Sequence, residues 1–226
     1  MRLRSAFSLI AIATFRAASA VGQGTTIDEG TFVITQRGAP TQTESFRIAR
    51  LDNGLIRATG QIAIGDNRVI SSLMADSLGT PVAYGYVEKT RGVTTLQLQA
   101  LAGGKRLSLK SSDNRNNEAM KDFPVSPGQS VILDDGLMHQ LFFVAAARRT
   151  GELQVIMPRR ARREAALLSG RGLEPVTIAG RSVTGTHYSL VDRSMAREFW
   201  IDAGGRVLRV EIPALGLVAV REDLPR

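Results

Sequence analysis

Asp134-Asp135-Gly136-Leu137-Met138-His139-Gln140-Leu141-Phe142-Phe143-Val144-Ala145-Ala146-Ala147-Arg148-Arg149 is the stretch on which the fold turns. Between Leu137 and Ala147 only His139 and Gln140 are polar. A helix that is apolar nearly all round belongs in an interior. The two aspartates are good N-cap types, and the arginines with Gly151 suit a C-terminus. A buried strand over Gln140–Val144 is the competing reading; length and end signals favour a helix at about 136–148.

Outward from this stretch, both flanks read as short strands. On the N-terminal side they are 31–36, 44–51, 55–64, 69–74, 81–87, 93–101 and 105–109. Thr94 to Gln99 alternates cleanly, with Leu96, Leu98 and Ala100 on one face. Turn residues punctuate the series at Asp52-Asn53-Gly54, Gly65-Asp66-Asn67 and Gly103-Gly104, where positive φ is tolerated. On the C-terminal side the strands are 153–157, 175–178, 181–191, 197–202, 207–212 and 216–221, and 159–170 is open between strand edge and short helix. Asp202-Ala203-Gly204-Gly205 marks a hairpin, and Ile178-Ala179-Gly180-Arg181 a second tight turn. Regular short strands with polar turns indicate antiparallel sheet with one wetted face. The expected architecture is mainly β (α+β): a curved antiparallel sheet or half-barrel wrapping one buried helix, in a single domain over 21–226.

The N-terminus carries a processing pattern. A basic start (Arg2, Arg4), an apolar core from Ser5 to Phe15 and the small residues Ala18-Ser19-Ala20 predict a cleaved secretory signal over 1–20. The core is too short to span a ~30 Å hydrocarbon layer. The expected location is therefore periplasmic or secreted. With 0 Cys in 226 residues there is no disulfide framework, thiol nucleophile or thiolate metal site, so the fold relies on its core. Removing the signal leaves 26 basic against 21 acidic residues, or +5. Only Lys89, Lys105, Lys110 and Lys121 are lysine, so the basic character is an arginine effect. Aromatics at 5% are too sparse for stacking on bases, and export argues further against nucleic acid.

Candidate chemistry is sparse. The two histidines, His139 and His187, lack H-E-x-x-H or H-x-H spacing, so both read as structural and no metal or cofactor is expected. G-x-S-x-G and S-x-x-K are absent, and no catalytic residue is assigned. A hydrolase using His139 or His187 is the least favoured reading. Met138, Leu141, Phe142, Phe143, Tyr188 and Trp200, with Phe199, are the candidate lining of an apolar cavity between helix and sheet. Arg159, Arg160, Arg162 and Arg163, with Arg148 and Arg149 nearby, form the densest charge feature. They suit anionic headgroups, peripheral membrane contact or an acidic envelope protein.

From Val131 to Arg221, the order of Leu-Asp-Asp, apolar helix, strands and Phe-Trp-Ile-Asp-Ala-Gly-Gly-Arg-Val-Leu-Arg-Val is similar to that of exported bacterial β-rich proteins. Glu198 to Val210 carries most of that likeness. The element order also resembles the lipoprotein-localisation-factor half-barrels, in which a curved antiparallel sheet wraps a helix and holds acyl chains. That resemblance implies a carrier of lipid or another apolar or amphiphilic ligand. An envelope interaction or scaffold module using the arginine-rich surface is the alternative.

Overall fold

The computed structural model describes residues 24–146 and 150–225. The predicted signal, Ala147, Arg148 and Arg149 lie outside the described residues. The strands are β1 (Thr25–Gln36), β2 (Gln42–Arg50), β3 (Ile56–Ile64), β4 (Asn67–Ala75), β5 (Pro81–Thr90), β6 (Val93–Gly103), β7 (Arg106–Asp113) and β8 (Glu118–Pro124). They continue as β9 (Ser130–Ile132), β10 (Gly151–Met157), β11 (Arg162–Ile178), β12 (Arg181–Val191), β13 (Ala196–Ile201), β14 (Val207–Ile212) and β15 (Leu217–Arg221). All belong to one sheet, ordered β8 through β1, then β15 back through β9. Two meanders are thus joined side by side where β1 pairs with β15. Every pairing is antiparallel except β9 with β10, which the helical segment links as a parallel pair.

Fifteen strands laid flat would span about 67 Å at ordinary strand spacing. Yet inward side chains from opposite ends of the order, Leu107 and Phe123 at one end and Leu153 and Val155 at the other, share one apolar core. The sheet therefore curls on itself around that core. Period-two alternation drives this. In β3, Ile56, Ala58 and Ile62 are buried while Thr59, Gln61 and Ala63 are exposed, the pattern of a strand with one wet face.

The helical segment fills the concavity. A 3₁₀ turn at Met138–Gln140 leads into α1 (Leu141–Ala146), and every residue from Met138 to Ala145 is buried. The α-helix is shorter than the predicted 136–148. Its start also differs, because Asp134 and Asp135 do not cap it. Gly136, at φ 86°, turns the chain between them and the helix. Both carboxylates instead bind side chains and backbone elsewhere, as described below.

Two further differences have physical causes. The ambiguous segment 159–170 is a 3₁₀ turn at Pro158–Arg160 followed by β11, which runs unbroken to Ile178. A bulge at Gly170/Gly172 bends β11 midway. Its far half carries Val176 and Ile178 onto Trp200 and Leu208, forming a second, smaller apolar cluster. Trp200 lies on the sheet face opposite Phe199, its neighbour in β13, so this cluster sits on the convex side. Strand β8 is absent from the sequence reading because only Phe123 is buried in it, leaving no apolar periodicity to detect.

Candidate functional site

The helical segment is anchored by a buried polar set. Glu44 projects inward from β2, where its carboxylate binds His139 Nδ1 through one oxygen and accepts the Met138 N–H through the other at 2.7 Å. His139 Nε2 lies 3.2 Å from Ser71 Oγ on β4. All three side chains are buried, with Glu44 0% and His139 and Ser71 1% exposed. Between them on β3 stands Gly60. A Cβ there would approach His139 Cε1 to 2.4 Å and Glu44 Oε1 to 2.9 Å, so the missing side chain is what admits the pair. The order Glu–His–Ser is that of an acyl-transfer triad, but its hydroxyl is sealed in the core. Attack needs a nucleophile that a substrate carbonyl can reach.

The Asp134–Asp135 turn is a second anchor. Asp134 accepts Tyr84 O–H at 2.6 Å and Arg159 N–H at 3.0 Å, while its own N–H donates to Gln140 Oε1 at 2.6 Å. Burial raises the Asp134 pKa to about 6 against these lowering bonds, and the same burial raises Tyr84 well above its usual value. Asp135 binds Arg160 at 2.6 Å and the buried Arg197 at 3.1 Å. Arg197 also pairs with Asp192 at 2.6 Å. Burial alone would raise the Asp192 pKa, but hydrogen bonds from Arg197, Ser194 and Met195 bring it down to about 2.

The arginine cluster consequently divides. The Arg159 guanidinium donates to the Asp135 carbonyl at 3.1 Å and lies over the Tyr86 ring at 5.0 Å. Arg160 is engaged with Asp135, so these two hold the turn in place. Arg162 and Arg163 open β11, just beyond the 3₁₀ turn. With Gln154, Glu164, Ala165, Arg193 and Ser194 they line an open groove of about 480 Å³. Arg162 pairs with Glu164 at 3.1 Å. Arg163 and Arg193 form no ion pair among the described residues; Arg163 makes only a 3.5 Å contact with the Pro124 carbonyl. Guanidinium groups facing a groove can bind phosphate or carboxylate in bidentate fashion.

The six candidate cavity residues do not line a common space. Met138, Leu141, Phe142 and Phe143 are packed into the main core, with Phe142 and Phe143 edge to face at 5.6 Å. Tyr188 stacks on Phe199 at 5.6 Å and packs half-buried against the same core. Trp200 is on the other face, stacked with His187 at 4.3 Å and donating its indole N–H to Glu174 at 2.9 Å. His187 lies between Glu174 (2.9 Å) and Glu198 (2.8 Å), so it ties the bent half of β11 to the body of the sheet.

At the β1–β15 seam, Arg221 is buried and pairs with Asp28 at 2.6 Å, with Phe46 and Phe32 beneath it at 5.1 and 6.0 Å. Desolvation outweighs this ion pair and pushes Asp28 up to about 6. Among the described residues no group of three or more His, Asp or Glu is placed to hold a metal ion. No helix among them is long and apolar enough to cross a membrane.

Sequence reasoning missed Glu44, Arg193, Arg197 and Arg221. Strand parity was the available signal for three of them. Glu44 is two residues before inward Phe46, Arg197 two before Phe199, and Arg221 two after Ala219. A charge on the buried face of an alternating strand requires a partner. Arg193, in a loop, offers no such signal.

The fold and these anchors define a β-barrel-like protein, an open curved antiparallel sheet around one short helix. Its structure is similar to that of a β-barrel-like protein of the DUF1849 domain of unknown function from Brucella abortus. The TM-score is 0.55 at 10% sequence identity, covering 88% of this chain and 97% of that one. A duf1089 family protein from Pseudomonas aeruginosa aligns at a TM-score of 0.40 and 13% identity, over 95% of this chain and 98% of that one. No family model and no curated protein matches the chain.

Proposed function

We propose that this chain is an exported, non-enzymatic binding protein of the bacterial cell envelope, contacting an anionic envelope component through the arginine face around Arg162 and Arg163. The observation behind this reading is the groove in which Arg163 and Arg193 lie without a carboxylate partner among the described residues. The basic-start, apolar-core and small-residue pattern of 1–20 supports export. The test is affinity capture from a detergent-solubilised envelope fraction. The protein is expected to retain a component that is lost when Arg162, Arg163 and Arg193 are changed to Glu, with circular dichroism unchanged. Equal retention by both forms would contradict the reading.

A second reading, an apolar or amphiphilic ligand such as lipid held inside the half-barrel, follows from the likeness in element order to lipoprotein-localisation-factor half-barrels. The half-buried Tyr188, stacked on the fully buried Phe199, favours it. This reading requires α1 to move, because Met138, Leu141 and Phe143 now fill the interior. Native mass spectrometry of freshly purified protein decides it: a co-purifying lipid supports the carrier, and an empty protein contradicts it.

A further inference from the structure

The far half of β11 and the start of β12 form an arm. Beyond Leu168, β11 no longer pairs with β10, and β13 pairs with β12 only from Thr186 to Val191. Residues 173–185 therefore have only each other as strand partners. A two-stranded ribbon on its own is marginal in water. The arm folds back onto the convex face, where Val176 and Ile178 pack against Trp200 and Leu208. Glycines stand at its creases. Gly172, at φ 114°, sits at the β11 bulge. At Gly185 a Cβ would stand 3.2 Å from Trp200 Cβ and 3.3 Å from Leu208 Cδ1.

His187 lies at the crease, opposite Gly172. Its Nδ1 meets Glu174 Oε1 on the arm at 2.9 Å, and its Nε2 meets Glu198 Oε2 on β13 at 2.8 Å. The other oxygen of each carboxylate is already engaged. Trp200 Nε1–H donates to Glu174 Oε2 at 2.9 Å, and the Ser189 hydroxyl donates to Glu198 Oε1 at 2.8 Å. The Trp200 N–H first, and then the His187 contact, hold the Glu174 carboxyl below its ordinary range, so it acts as an acceptor. On β14, Arg209 lies over the Trp200 ring at 5.7 Å and is held by Glu211 at 2.7 Å. Glu211 is opposite Glu198 in register. The four oxygens of Glu174 and Glu198 thus meet four donors when the His187 ring carries both N–H groups. A neutral imidazole has one N–H, and its bare nitrogen would then face an anionic oxygen.

We infer that the arm 173–185 is a proton-gated strap, closed over the convex cluster when His187 is charged and released when the ring is neutral. The bond that gives way is the one to Glu174, which belongs to the arm and whose side chain is 44% exposed, against 22% for Glu198. Histidine is the side chain that ordinarily changes charge between about pH 5 and 8. Release uncovers Trp200 and Leu208 and leaves the main core, on the other face of the sheet, closed. This device is independent of the arginine groove.

Trp200 is the chain's one tryptophan and stacks on the His187 ring at 4.3 Å, so its emission reports both events. An imidazolium quenches a stacked indole, and an uncovered indole emits further to the red. Raising the pH of the purified protein from about 5 to about 8 is expected to raise the intensity in one step and to shift the maximum to the red. His187→Gln should remove the intensity step. Glu174→Gln should keep that step but hold the maximum at its acid position, because an amide N–H can donate to the neutral ring nitrogen. Hydrogen-exchange mass spectrometry at both pH values, corrected for the intrinsic pH dependence of exchange, gives a second readout. Residues 173–185 are expected to open at least about tenfold more often at the higher pH, beyond any change in β3–β6, as suits loss of a bond to a charged group. If His187→Gln fails to fold, the Glu174→Gln comparison decides. Absence of an intensity step, a step that survives His187→Gln, a red shift that survives Glu174→Gln, or equal corrected exchange of 173–185 at the two pH values would overturn the inference.

Discussion

Gly60 lies against the ring of His139, so close that a single methyl group would come within 2.4 Å of Cε1. The contact fixes the helical segment at one point on the sheet wall, where Glu44 grips both the ring and the Met138 N–H. Gly60→Ala is expected to destabilise the protein by about 1–3 kcal/mol through overpacking. Glu44→Ala is expected to cost about 3–5 kcal/mol, since it strands a buried donor and a buried ring. In urea titrations the Gly60→Ala penalty should shrink when His139→Ala is also present, because the two share one space. Additive penalties would show that the contact is not what constrains Gly60.

Acid stability should rise before it falls. Asp28 and Asp134, raised by burial to about 6, bind protons more readily folded than unfolded. Their contribution is fully present below about pH 4, the ordinary carboxylate range, and is lost as pH rises through about 6. Asp192, lowered to about 2, acts in the opposite sense. Its stabilisation is present above pH 4 and lost as pH falls toward 2. Melting temperature should therefore increase from pH 7 to 5 and drop below 4. Asp28→Asn with Asp134→Asn should flatten the rise. A rise unchanged in that double variant would refute the assignment.

The bent half of β11 should be separable from the main fold. Trp200, the chain's one tryptophan, is covered by Val176 and Ile178 and is 8% exposed. Ile178→Asp should lift that cover and red-shift the fluorescence, while far-ultraviolet circular dichroism stays near that of the parent. Loss of the whole β signal together with the shift would mean that the two clusters fold as one unit.

Arg197 is expected to be among the least replaceable residues of the sheet. It is 2% exposed and pairs with both Asp192 and Asp135, so Arg197→Ala leaves a buried carboxylate unpaired. The expected cost is about 3–5 kcal/mol by denaturant midpoint. Restoration by Asp192→Ala in the same chain would show that the stranded charge is the cause.

The curved sheet and its buried helix were legible because strand alternation and an all-apolar run are local signals. Turn chemistry placed the hairpins at Gly180 and Gly204-Gly205 for the same reason. The edge strand β8 was not legible, since an exposed strand buries almost nothing that could be counted. The polar anchors were half legible: Glu44, Arg197 and Arg221 sit at inward parity, but their partners come from distant strands. Aromatic identity alone groups Trp200 with the helix, because it does not specify a face. Its parity with respect to Phe199 does, and it puts Trp200 outside.

Binding is expected at the arginine groove and not in the interior. Hydrogen-exchange mass spectrometry with and without phosphatidylethanolamine–phosphatidylglycerol vesicles tests this most directly. Added protection is expected over 154–165 and 193–195, with 137–146 unchanged. Altered exchange confined to 137–146 would place the ligand among the core side chains and contradict it.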